Sequence, residues 1–79
     1  MEEQIIEVLA DICGLPPDDS FSGINLFQEG FLDSFAVLRL IVGLSEKFDI
    51  ELDIGDISRD ELSSVDLIGK LIRERTGTS

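Results

Sequence analysis

The sequence predicts an all-α fold, a small four-helix bundle of three principal helices and one short one. Three observations carry this. Apolar residues recur at three- and four-residue spacing in three separate segments. Only one short segment alternates as a strand would, and no second one exists to pair with it. Hydrophobic residues make up 43% of the chain and its five aromatics are all Phe, so the core is built mainly from Leu, Ile and Val.

The first helix runs from Glu2 to Cys13. Ile5, Leu9 and Ile12 recur at helical spacing with Glu3, Glu7 and Asp11 on other faces, and Gly14 followed by Pro16-Pro17 ends the pattern. Cys13 lies on the stripe Ile6, Leu9, Cys13 and is expected in the core rather than as a reactive thiol. Residues 14–33 hold two prolines, three glycines and four acids without a sustained period. They read as a long loop, functional or disordered, in which Ile24, Leu26 and Phe27 form one turn that caps the core.

Asp33 is a good N-cap for a second helix, Ser34 to Phe48, whose stripe Val37, Ile41, Leu44, Phe48 faces the core. Gly43 interrupts it at a cost of about 1 kcal/mol relative to Ala, which close packing by the loop or by a partner explains. Ile50, Leu52 and Ile54 alternate with Glu51 and Asp53 and read as an extended connector. A short third helix is expected within Asp56 to Leu62. Ser63-Ser64-Val65-Asp66 resembles a capping box opening the last helix, with Leu67, Ile68, Leu71 and Ile72 inward and Gly77 beyond its end.

A chain of 79 residues is expected to be one domain, 1–79. It has no histidine, which removes the commonest general base and the commonest zinc ligand, and a single cysteine, which excludes an internal disulfide. No catalytic residue and no resting metal site follow, so the chain is not expected to be an enzyme. No uninterrupted apolar run approaches the ~18 residues of a membrane span, and no positive charge precedes the first apolar stretch. A cytoplasmic monomer without membrane insertion is the expectation.

The net charge of −11 argues against nucleic acid and for basic partner surfaces or simple solubility. It is unevenly spread: −8 over residues 1–33, +1 over 34–48, −6 over 49–66 and +2 over 67–79. The acid-rich 49–60 segment fails as a calcium loop, because a frame begun at Asp49 puts Ile54 where the turn glycine belongs and Asp60 where the bidentate glutamate belongs.

Projection of the second helix at 100° per residue gives a second apolar stripe, Phe35, Leu38 and Val42, well away from the first. Either the 14–33 loop or the short third helix covers it, or it is a docking patch beside Ser34. An unmodified acidic adaptor binding through this face is one function open to such a chain.

The run Leu26-Phe27-Gln28-Glu29-Gly30-Phe31-Leu32-Asp33-Ser34-Phe35, followed by a helix closing at Phe48-Asp49-Ile50, resembles the phosphopantetheine attachment site of acyl carrier proteins. The resemblance covers essentially the whole chain. It implies that a phosphopantetheinyl transferase, using magnesium only for this step, lets the Ser34 hydroxyl attack the phosphate of coenzyme A and take 4′-phosphopantetheine through a phosphodiester. The arm's thiol then holds acyl or aminoacyl groups as thioesters for a loading ligase and downstream pathway enzymes. Glu29 to Phe35 and Arg59-Asp60-Glu61 are also similar to D-alanyl carrier proteins, which an adenylating ligase loads.

The residues suit this reading. A serine in a first helical turn is exposed, and a phosphate on it is expected to meet unpaired backbone N–H groups at the positive helix end, worth ~0.3–1 kcal/mol. Asp33 is expected to cap the helix and, by the resemblance, to be read by the transferase. Many fatty-acid carriers present acids on this helix, whereas Arg39 and Lys47 here outnumber Glu46. Docking is therefore expected to use Asp33, Phe35, Leu38 and Val42, with Arg39 selecting an acidic group on the partner.

Overall fold

Three α-helices supply the frame: α1 (Glu2–Cys13), α2 (Ser34–Phe48) and α3 (Val65–Thr76). The structure is a computed structural model that describes residues 2–76. Three 3-10 turns join the helices, at Asp19–Phe21, Ile54–Asp56 and Arg59–Leu62, and there is no strand among the described residues. The all-α expectation holds. α1 is the common support on which both α2 and α3 pack.

The α1 and α2 boundaries agree with the helical periods, and both ends have visible causes. Gly14 adopts φ 69, a left-handed conformation that costs a glycine little, and the Leu15 amide returns to the Ala10 carbonyl at 3.0 Å. Asp49 takes the same role after α2 at φ 53, and the Ile50 amide donates to the Ser45 carbonyl at 3.1 Å. Short polar side chains tolerate this region best after glycine.

The core is filled by Ile5, Leu9, Leu40, Leu44, Ile68 and Ile72, none of them exposed at all. Each such side chain contributes about 1.5–3 kcal/mol over its exposed state. Val37, Ile41 and Leu44 of the expected α2 stripe are buried and Phe48 is half-buried. Cys13 is also only half-buried, packed against the core with its thiol 3.4 Å from the Phe31 carbonyl. Burial pushes that thiol's pKa up.

The 14–33 segment is more ordered than its composition suggests. Phe21 is fully buried at the end of its 3-10 turn, with its ring centroid 5.0 Å from that of Phe31. Leu26 and Leu32 are buried as well, while Phe27 and Ile24 pack against the core from its edge.

The short helix expected within Asp56 to Leu62 is the 3-10 turn Arg59–Leu62. It is separated from the turn at Ile54–Asp56 by Ile57 and Ser58, which are extended (ψ 125 and 158), and two expectations about the residues around it need correction. The reciprocal capping box lies at Ser58–Glu61, where the Glu61 carboxylate accepts from the Ser58 amide at 3.0 Å. α3 is capped by Ser64, whose hydroxyl accepts from Leu67 N at 3.2 Å; the residue three beyond Ser64 is that leucine, which has no carboxylate to complete a box. Leu67 itself is 41% exposed and Val65 is buried in its stead. Val65, Ile68, Leu71 and Ile72 form the buried stripe, and Leu67, 100° from Ile68, lies just beyond the edge that Leu71 marks. The expected stop at Gly77 lies outside the described residues.

Candidate functional site

Asp33 is the residue that starts α2. Its backbone is extended (φ −140, ψ −175), and one carboxylate oxygen accepts from Phe35 N at 3.0 Å and from Ala36 N at 2.8 Å. Its carbonyl takes the Val37 amide at 3.0 Å. The cap is as expected, and it alters one expectation about the phosphate. The Phe35 and Ala36 donors are already used by Asp33, so an anion on the neighbouring serine meets the helix dipole without those two N–H groups.

Ser34, the first residue of α2, is exposed, and no hydrogen bond engages its hydroxyl among the described residues. The preceding loop presents it. Gly30 turns the chain at φ 83, and Phe31 N and Leu32 N both donate to the Leu26 carbonyl, at 2.9 and 3.1 Å. Leu32 enters the core, and the next two residues emerge at the helix start. Leu26 N donates to the Ser63 carbonyl at 2.7 Å, and the Arg59 guanidinium lies 4.6 Å from the Phe27 ring centroid. Both contacts tie the loop to the segment before α3.

The second apolar stripe is uncovered. Phe35, Leu38 and Val42 are 67%, 50% and 57% exposed, so neither the loop nor the turn at 59–62 closes over them. Together with Val8 and Ile12 of α1 they line a groove of about 860 Å³. Isolated exposed leucines are ordinary, but three large apolar side chains in one helical stripe form a patch.

Two cations stand on α2. Lys47 is paired with Glu7 of α1 at 2.8 Å. Arg39 is exposed, its guanidinium 5.3 Å from the Phe35 ring centroid, and it has no ion-pair partner among the described residues.

An exposed, unengaged hydroxyl at a capped helix start can take a phosphodiester without disturbing the core, so the site fits a covalent arm. Residues 3–74 match the family described as "Phosphopantetheine attachment site". The chain belongs to this family of phosphopantetheine-binding carriers. It is a carrier protein with a covalent 4′-phosphopantetheine arm and not an enzyme. This displaces the unmodified adaptor.

The chain is similar to the D-alanyl carrier proteins of Bacillus cereus and Bacillus anthracis, at 37% identity over 73 residues, covering 92% of this chain and 92% of each relative. A carrier of this family meets a phosphopantetheinyl transferase and the enzymes that load and unload its arm. Among the described residues no group of three His, Cys, Asp or Glu side chains is arranged to hold a metal ion. None of the described helices is long and apolar enough to cross a membrane.

The structure brings Asp33, Ser34, Phe35, Leu38, Arg39 and Val42 onto the exposed part of one helix. What the sequence reading missed is the α1 wall of the groove. Its signal was Gly43: a Cβ there would come within 2.8 Å of Val8 Cγ1, so the glycine admits α1 rather than the loop or a partner.

Proposed function

We propose that Ser34 carries the 4′-phosphopantetheine arm and that the cargo is an amino acid, D-alanine first among candidates. The observation that carries the attachment is the exposed, unbonded Ser34 hydroxyl directly after the Asp33 cap. The names of the relatives support the cargo. When attached, the arm supplies a thiol that holds the aminoacyl group as a thioester.

The chain's own residues do the rest. Asp33 keeps the first turn of α2 closed and offers a carboxylate edge to the transferase. The loop anchored by Leu26 and Leu32 holds the serine clear of the core. Phe35, Leu38, Arg39 and Val42 dock the successive enzymes beside the arm. The residues of the chain provide no general base. A monomeric cytoplasmic carrier fits this role, handed between a transferase, an adenylating ligase and an acceptor enzyme.

The test is intact mass after incubation with coenzyme A, magnesium and a broad-specificity phosphopantetheinyl transferase, with Ser34→Ala as control. The expected result is one phosphopantetheine on the native chain and none on the variant. Subsequent charging with D-alanine, ATP and an adenylating D-alanine ligase adds one alanyl group. A modified Ser34→Ala chain would move the attachment elsewhere.

A further inference from the structure

Charge and apolar exposure disagree on the α2 face, and the disagreement identifies the partner's chemistry. The chain as a whole, at −11, draws basic surfaces towards it over long range. At close range a cation flanks its exposed apolar stripe. Arg39 lies between Phe35 and Val42 in sequence and lines the same groove as both.

The other cation of that groove, Lys47, is already neutralised by Glu7 at 2.8 Å. Arg39 shares the groove with Asp11 and Glu46 but pairs with neither. Its guanidinium rests instead over the Phe35 ring at 5.3 Å. That contact leaves the charge free for an anion and restrains a side chain that is otherwise expensive to order.

An enzyme that covers Phe35, Leu38 and Val42 takes water away from Arg39. A guanidinium desolvated without a counter-charge is strongly unfavourable, so a purely basic or purely apolar socket is rejected. Resting on the aminoacyl-carrier reading above, we propose that Arg39 is the specificity-determining residue of the docking face. Its partner is a loading ligase with an apolar socket for Phe35 and Leu38, a carboxylate on the socket rim opposite Arg39, and a basic surface around it. Attraction at a distance and selection at contact then have opposite signs, which excludes basic enzymes that lack the carboxylate.

The test uses the holo-carrier as the varied substrate of an adenylating D-alanine ligase, with ATP and D-alanine. The chains are wild type, Arg39→Lys, Arg39→Gln, Arg39→Glu and Arg73→Glu. Arg73 is an exposed arginine on α3, and its reversal changes net charge as much as that of Arg39. KM is expected to rise about 10-fold for Gln and about 100-fold for Glu, with kcat little changed, since truncating a desolvated charge pair costs on this scale. Lys keeps the charge but loses the stacked guanidinium and is expected to fall between wild type and Gln, and Arg73→Glu barely moves. Matching thermal melts show that folded carriers are compared. A KM for Arg39→Glu equal to wild type, or an equal rise in Arg73→Glu, overturns the inference alone. A wild-type holo chain that is never charged overturns the aminoacyl reading and this inference with it.

Discussion

The Asp33 carboxylate accepts the Ala36 amide at 2.8 Å, closing the first turn of α2, which begins at Ser34. One side chain therefore sets the geometry of the proposed attachment point and contributes a negative charge beside it. These two roles separate experimentally.

Asp33→Ala removes the cap and is expected to cost about 1 kcal/mol, which lowers Tm by about 4–8 °C in a domain of this size. Asn caps as well as Asp, so Asp33→Asn leaves the melt nearly unchanged. If the transferase reads the carboxylate, the Asn variant is modified several-fold more slowly at equal stability. Equal modification rates by intact mass would reduce Asp33 to a cap alone.

The Gly43–Val8 approach gives a prediction about packing. Ala at position 43 gains about 1 kcal/mol in helix propensity. It also places a methyl 2.8 Å from Val8 Cγ1, and overpacking of this kind costs about 1–3 kcal/mol. Val8 is β-branched, almost fully buried and held to one rotamer in a helix, so it yields poorly. Gly43→Ala is expected to destabilise, and Val8→Ala is expected to be less harmful in that background than alone. Additive effects in a double-mutant cycle by urea denaturation would rule out the contact as the reason for the glycine.

The contrast between α2 and the 14–33 loop shows what a single sequence can reveal. Val37, Ile41 and Leu44 repeat with the helix, so their burial is legible from spacing. Phe21, Leu26 and Leu32 are buried just as deeply, but their backbone comes from irregular turns and the Leu26–Ser63 hydrogen bond, which no period encodes. The exposed side of the site was legible for the same reason as the core side: Phe35, Leu38 and Val42 repeat on one helix. The groove's other wall was not, because the pairing of α1 with α2 is a long-range event. Leu67 was misplaced since an apolar residue beside a core stripe looks the same in sequence whether or not a neighbour reaches it.

Cys13 carries a pH prediction. Burial raises its pKa, so the folded state disfavours the thiolate. The stability this implies is fully present below the unfolded thiol pKa and is lost as pH rises through the higher folded value. Disulfide-exchange reagents are expected to react more slowly with the native chain at neutral pH than with the urea-unfolded chain. Tm is expected to fall on the alkaline side of the ordinary thiol range, less steeply in Cys13→Ala. Equal thiol reactivity in the folded and unfolded chains would refute the burial effect.

Salt separates local attraction from global repulsion. The Glu7–Lys47 bridge is the one ion pair among the described residues, and its side chains are 52% and 37% exposed. Pairs of that exposure are worth about 0–1 kcal/mol and weaken as salt is added. Against this stands a net charge of −11 within extents of 29 × 23 × 20 Å, where many like charges lie inside or near the ~10 Å screening length of 0.1 M salt. The collective repulsion outweighs the single pair, so Tm is expected to rise with sodium chloride. Lys47→Met removes the attraction and makes the chain more acidic, so its Tm starts lower and climbs more steeply. Magnesium chloride at equal ionic strength tests for site binding: a much larger rise than sodium gives would require a bound cation, and a salt-independent melt would refute self-repulsion.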